Sequence, residues 1–245
     1  IESVIPDSVA DTDQKENSSD CDSKEIDTNT LQFSEAFNYY RSSAWKIRGV
    51  NEPLNSLASA GNSELYSYRF DWDDRRRLII ANFKSLFGAG HALEIPLLTG
   101  STKLVGGSPV SNFMYPKSIS KFYTSKNMMK FWSNFAKYGE PGSSTNNVEW
   151  HRYEVDEDNF SSFMIIDKRK NLKMSSDDIS FKKLSNEIYT DKRLDEIEKC
   201  VVLYQMLTYV GNDIYDENIK DYPGKCDRKK SENFIINNAS VIDID

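Results

Sequence analysis

The segment FGAGHALEIPLLTG, residues 87–100, joins a glycine-rich turn to a short apolar run. It contains His91, one of only two histidines in the chain. Gly88 and Gly90 permit backbone angles that other residues avoid, and Pro96 cuts short the helical start that follows. This pattern predicts a turn at the start of a helix, with the imidazole of His91 pointing out of the fold. Such a histidine can act as a general base; from the residues alone, a packed structural histidine is the commoner alternative.

Three segments around this turn have strong patterns. LYSYRFDW (65–72) is rich in β-forming residues and predicts a strand. SISKFYTSKNMMKFWSNFAKYGEP (118–141) has helical spacing and a glycine–proline stop. SSFMIIDK (161–168) predicts a short edge strand. The stripe expected to enter the core from the helix consists of Met128, Phe131, Trp132, Phe135 and Ala136.

The remaining chain divides into helices and loops. Residues 31–40 and 50–61 predict two helices, and residues 183–207 predict one long amphipathic helix. The Gly- and Ser-rich segment 100–116 predicts a loop. Residues 1–30 contain almost nothing large and apolar, so we expect a flexible or disordered segment there. The fold class expected for residues 31–245 is α/β: a few sheet strands packed with several long helices.

Composition excludes some functions and leaves location open. The 245-residue chain has a formal net charge of −7, which argues against nucleic acid as a main partner. The basic clusters DDRRR (73–77) and DRKK (227–230) lie beside acids and predict solvated surface. No apolar run is long enough for a membrane span, and no signal peptide is recognisable. The chain opens with Ile1 rather than methionine, so we expect that something upstream was removed or not included.

Cysteines and glycosylation motifs do not settle the compartment. No CxxC pair is present, and the three cysteines are Cys21, Cys200 and Cys226. The last two either form a disulfide or stay as thiols. Asn-x-Ser/Thr triplets occur at Asn17, Asn159 and Asn238.

Most familiar catalytic motifs are absent from the sequence. GxSxG, Walker A, GxGxxG, HExxH and the EF-hand loop do not occur. DWDD (71–74) groups three acids, but a solvated strand end explains them better than a metal site. His151, in NNVEWHRYE (146–154), is expected to be an exposed or half-packed loop residue.

Five motifs carry a family resemblance because they follow one another in a fixed order. They are YRFDWDD (68–74), LFGAGHALEIPLL (86–98), MMKFWSNFAKYGEP (128–141), EWHRYE (149–154) and SFMIID (162–167). In this order they resemble the C-terminal part of the type-B carboxylesterases, the cholinesterase-like branch of the α/β-hydrolases. SSAWKIRGVNEP (42–53) adds to the resemblance, which covers roughly residues 40–170 well and the tail weakly.

The resemblance implies roles for three residues. His91 matches the family's catalytic histidine, which takes a proton from a serine hydroxyl and later delivers it to the leaving group. Glu94 matches a glutamate one helical turn later, which implies that it supports the loop rather than serving as the triad acid; an ordinary first-turn acid favoured by the helix dipole is the alternative. Phe87 stands where the family's substrate pocket can be lined, or it packs in the core. No cofactor or metal is implied.

The sequence departs from the family pattern upstream of His91. The order of the triad in α/β-hydrolases is serine, acid, histidine, yet residues 1–90 show neither a nucleophile elbow nor the acid's motif, and YDEN (215–218) follows His91. We therefore expect the C-terminal portion of a longer serine esterase or lipase, inactive alone, whose partners are a small-molecule or lipid ester and the missing N-terminal half. The alternatives are a triad-less, cholinesterase-like binding or adhesion module, and a free-standing helical domain with a structural His91.

Overall fold

A computed structural model describes residues 28–75, 88–101, 108–156, 160–209 and 211–237. Several predictions fall on residues outside these ranges: Cys21, Arg76, Arg77, Phe87 and the three glycosylation motifs at Asn17, Asn159 and Asn238.

The described strands form one three-stranded sheet. Strand β1 (Tyr68–Phe70) pairs in parallel with β2 (Ser161–Ile166), and β2 pairs antiparallel with β3 (Lys173–Asp177). The order is therefore β1-β2-β3. The predicted strand in LYSYRFDW is confirmed, although it spans only three residues. The prediction that SSFMIIDK is an edge strand is wrong, because β2 lies in the middle and five of its six residues are buried, as in a central strand.

The N-terminal part of the described chain is helical. Helix α1 (Thr28–Lys46) continues through a π-helical segment (Ile47–Asn51) into α2 (Glu52–Ser59). Both predicted helices are confirmed, and the π segment joins them without a loop. Arg48 in this segment pairs with Glu52 over 2.7 Å at the surface.

Three further helices follow the His91 turn along the chain. They are α3 (Ile95–Thr99), α4 (Ser108–Met114) and α5 (Ile119–Tyr138). The predicted strong helix is confirmed as α5, with Ser118 accepting a hydrogen bond from the backbone N–H of Lys121 at its start and Gly139 left-handed at its end. The prediction of a loop over 100–116 is wrong for 108–114.

The C-terminal part contains α6 (Phe181–Thr190), α7 (Glu196–Tyr209), α8 (Asn212–Asn218), a 3-10 turn (Ile219–Asp221) and α9 (Arg228–Asn237). The prediction of one helix over 183–207 is wrong, because a capping box starts a new helix. Asp195 accepts a hydrogen bond from the backbone of Glu198, and the Glu198 carboxylate accepts one from the backbone of Asp195, each over 2.8 Å. Cys200 and Cys226 form a disulfide that ties α7 to the loop before α9.

Two buried clusters hold these elements together. The first joins α1 to α6, α7 and α8. The second lies between the sheet and α3, α4 and α5, and its largest fully buried side chains include Trp72, Tyr115 and Phe131. Of the predicted helix stripe, Met128 and Phe131 are buried and Trp132 is half-buried, but Phe135 and Ala136 are exposed, because α5 lies on the protein surface near its C-terminal end.

These elements confirm the α/β class, with several helices on a small mixed sheet. Within the described ranges, no helix combines the length and apolar character needed to cross a bilayer.

Candidate active site

His91 lies exposed on a tight turn that leads into α3. The turn is closed by backbone hydrogen bonds from Leu93 to Gly90 and from Ile95 to Ala92, each 3.2 Å long. Ala92 adopts a left-handed backbone with φ 64°, which is unfavourable for a residue with a Cβ atom. Strained residues of this kind concentrate at functional sites, so the backbone directly after His91 is one that the fold forces into place.

The turn is anchored to the second buried cluster on its inner side. The Tyr115 hydroxyl donates a hydrogen bond to the Leu93 carbonyl over 2.9 Å, and the Ser125 hydroxyl donates one to the Leu97 carbonyl over 2.6 Å. The Leu97 side chain is fully buried. The backbone that follows Ala92 is therefore fixed, while the His91 side chain stays accessible to solvent.

The His91 imidazole rests on Trp45 of α1. The two ring centroids are 4.8 Å apart with the planes tilted by 51°. The Tyr209 ring of α7 meets the same indole edge-on, with centroids 6.1 Å apart, and the Arg41 guanidinium lies 4.3 Å from the Tyr209 ring centroid. Sequence reasoning missed this aromatic cluster, because no spacing rule relates α1 or α7 to the turn.

Glu94 does not pair with His91. The described chain shows no hydrogen bond between them, and Glu94 instead accepts bonds at its backbone carbonyl from Leu97 and Leu98 as α3 begins. Burial, and to a lesser degree the Glu94 charge, raise the pKa of Tyr68 on β1. The Glu94 charge thus affects Tyr68 of β1. Its supporting role for the histidine stays a prediction.

Behind the turn lies a buried cation, Arg75. Its side chain is 7% exposed, and its three guanidine nitrogens make no hydrogen bond within the described chain. Burial lowers its pKa, while the charge of Tyr115 acts the other way. The prediction that DDRRR is solvated surface is therefore wrong for Arg75, because the chain turns inward after Trp72 and carries Arg75 against the core.

His151 is far less constrained than His91. It is an exposed loop residue, as its sequence context predicts, and lies at the edge of an open cleft of about 780 Å³. The cleft is lined mainly by polar side chains, including Glu140, Glu149, Arg152 and Ser175. Nothing in this cleft brings a nucleophile and a base into hydrogen-bonding contact among the described residues.

The acids of DWDD are engaged in ion pairs. Asp71 binds Arg69 over 2.7 Å, and Lys168 contacts Asp73 over 3.2 Å and Asp74 over 3.9 Å. Within the described ranges, no three His, Cys, Asp or Glu side chains come together as metal ligands. Asp73 and Asp74 therefore tie the end of β1 to the loop after β2, whereas Asp71 pairs with β1 itself.

Comparison with known proteins gives one decisive result. The model of the carboxylesterase family matches residues 9–183, which are 175 of the 245 residues. The chain belongs to the carboxylesterase family. Membership assigns it to a hydrolase family of esterase type, and the resemblance drawn from the five motifs is confirmed at that level. No curated protein and no solved structure matches the chain significantly.

The carboxylesterase match includes the whole of the candidate site except one residue. His91, Trp45 and Arg75 lie inside the matched range, whereas Tyr209 lies beyond it on α7. The disulfide between Cys200 and Cys226 also lies beyond it.

Proposed function

We propose that this chain supplies the catalytic histidine, His91, to a serine carboxylesterase that hydrolyses carboxylic esters through an acyl-enzyme. The observation that carries the proposal is an exposed imidazole on a strained turn whose backbone is anchored to the core directly after it. A general base needs this combination, because it must be accessible to the reacting hydroxyl and fixed in position.

The reaction assigned to His91 has two halves. In the first, the imidazole accepts the proton of a serine hydroxyl as its oxygen attacks the ester carbonyl, and then gives that proton to the departing alcohol. In the second, it accepts a proton from water, whose oxygen attacks the acyl-serine, and returns it to the serine as the carboxylic acid leaves. The serine and the triad acid would come from outside this chain, and Glu94 would support the turn.

The substrate is a carboxylic ester, either a small molecule or a lipid. The exposed ring of Tyr209, which packs on Trp45 next to the His91 turn, suits the apolar part of such a molecule, since aromatic surfaces stabilise apolar groups removed from water. The proposal requires neither a metal nor an organic cofactor, because the serine supplies the covalent step.

Labelling with a fluorophosphonate probe tests the proposal. The probe forms a stable bond only with an activated serine. The native protein is treated with the probe together with any chain tightly bound to it. Mass analysis of the peptides then identifies the modified residue. A heat-denatured sample is the control. Label on one serine in the native sample alone supports the proposal. No label on folded protein of full family length contradicts it and favours a cholinesterase-like binding or adhesion module that has lost its triad.

A further inference from the structure

We infer that Trp45 is a positioning residue, whose indole restricts the His91 imidazole to one orientation. The inference rests on the proposed function only where it predicts an effect on turnover. The contact itself is the 4.8 Å approach of the two ring centroids. Since the described chain provides no hydrogen bond to either nitrogen of His91, ring packing is the interaction that orients the imidazole.

The indole can serve this purpose because it is itself held on two further sides. A Cβ atom placed on Gly49 would lie only 3.0 Å from Cδ1 of Trp45 and 3.2 Å from its Nε1, so the ring rests on the bare backbone there. On another side the Tyr209 ring meets the indole at 77°. A ring confined by Gly49 and Tyr209 offers His91 a surface that cannot easily move away.

The local backbone supports the same assignment. Residues Ile47–Asn51 form a π-helical segment that begins two residues after Trp45 and includes Gly49. Segments of this type are rare in helices and frequent at functional sites. The segment places the Gly49 backbone against the indole.

Ring-current shifts of the His91 ring protons, measured by NMR, provide the first test. This test needs only the present chain, because no ester has to be hydrolysed. The indole should shift the His91 ring-proton resonances of the wild type away from their free-histidine positions. Trp45→Leu should move them toward those positions, and Trp45→Phe should do so only in part. Tyr39→Leu is the matched control, because Tyr39 is a similarly exposed ring of α1 that packs on Tyr40.

Gly49→Ala provides a variant that keeps every aromatic ring. Its added Cβ atom requires the indole to shift by a few tenths of an ångström, so the His91 resonances should move measurably although Trp45 is present. This variant also keeps the test decisive if Trp45→Leu does not fold.

Ester turnover provides the second test, in the protein that carries the reactive serine. Trp45→Leu should lower kcat by roughly ten- to a hundredfold, with KM nearly unchanged, because misplacing a catalytic group has effects of this size. Trp45→Phe should recover most of the loss, and Tyr39→Leu should match the wild type.

Two results would overturn the inference: His91 resonances that do not respond to Trp45→Leu or Gly49→Ala, or a kcat unaffected by Trp45→Leu. Failure of the proposed function is a separate outcome, because it would appear as normal turnover after removal of His91, whatever the ring-current shifts show.

Discussion

The guanidinium carbon of Arg75 lies 5.8 Å from the centroid of the Trp72 ring, in the buried layer behind the His91 turn. Trp72 is fully buried, and its indole nitrogen donates a hydrogen bond to Ser120 over 2.9 Å. Arg75 has no such compensation, because its nitrogens are buried without hydrogen-bond partners in the described chain. A cation in that position has lost its hydration, and the Trp72 ring face together with Tyr115 and Asp73 compensates for only part of that loss.

Replacing Arg75 by methionine should therefore stabilise the fold. We expect Arg75→Met to raise the free energy of unfolding by about 1–3 kcal/mol, because an apolar chain of similar length fills the space without the desolvation cost. Urea denaturation monitored by circular dichroism measures the change. Arg169→Met, at an exposed position, should change it by less than about 0.5 kcal/mol. A loss of stability in Arg75→Met would show that the guanidinium has a stabilising partner.

The two histidines should differ completely in their effect on turnover. His91→Ala should abolish ester hydrolysis in the protein that carries the serine, while the free energy of unfolding stays nearly unchanged because the side chain is exposed. His151→Ala removes an equally exposed histidine outside the site and should leave kcat and KM unaltered. Steady-state kinetics with a chromogenic ester would measure both. Near-normal turnover by His91→Ala contradicts the assignment.

The left-handed backbone of Ala92 should lower the free energy of unfolding while keeping the His91 turn rigid. A residue with a Cβ atom pays about 1 kcal/mol or more for φ 64°, whereas glycine does not. We expect Ala92→Gly to raise the free energy of unfolding by about 0.5–1 kcal/mol and to lower kcat severalfold, since the more flexible backbone releases His91. Ala89→Gly is the control in the same turn, without positive φ at the native residue, and should be neutral or destabilising. Equal effects of the two variants would refute this account.

The sequence predicted those features that depend on neighbouring residues. The apolar pattern, the N-cap and the glycine stop of helix α5 all lie within one continuous segment of sequence. The turn that carries His91 is likewise marked by the glycines beside it. The break between α6 and α7 was also readable in principle, because Asp195 and Glu198 have the spacing of a capping box, but the continuous apolar pattern across it favours one helix.

Features that depend on distant parts of the chain could not be predicted in this way. Strand β3 has a polar sequence without a strand pattern, and it forms a strand because it pairs with β2. Trp45 reaches His91 only because α1 packs beside the turn, and the burial of Arg75 follows from the same tertiary arrangement. Spacing rules describe one helix face or one strand, and these contacts join separate elements.

Stability at low pH should depend on Asp191, which ends α6. Its carboxylate accepts hydrogen bonds from the Arg193 side chain, the shortest 2.6 Å long, and from the Tyr40 hydroxyl over 2.9 Å. Arg193 is the main reason that the pKa of Asp191 falls from 3.8 to about 2, against the opposing effect of burial. The side chain is only 8% exposed, so the interaction is partly shielded from solvent.

The sign of the pH dependence follows from this depressed pKa. Above about pH 5 the carboxylate is ionised in both the folded and the unfolded state, and its contribution to stability is fully present. Between pH 4 and pH 2 the unfolded chain binds the proton first, so the free energy of unfolding decreases as the pH falls through the folded pKa. The contribution at stake is roughly 1–2 kcal/mol after allowance for solvent screening.

Asp191→Asn tests this directly. The variant should be less stable than the wild type at pH 7, and the difference should shrink as the pH is lowered from 4 to 2. Chemical denaturation at a series of pH values measures both curves. Asp178→Asn, which removes a carboxylate from a solvent-exposed pair with Lys183, should alter the curve little. If Asp191→Asn and the wild type lose stability in parallel over that interval, another carboxylate is responsible, and the Asp191–Arg193 interaction contributes nothing to acid resistance.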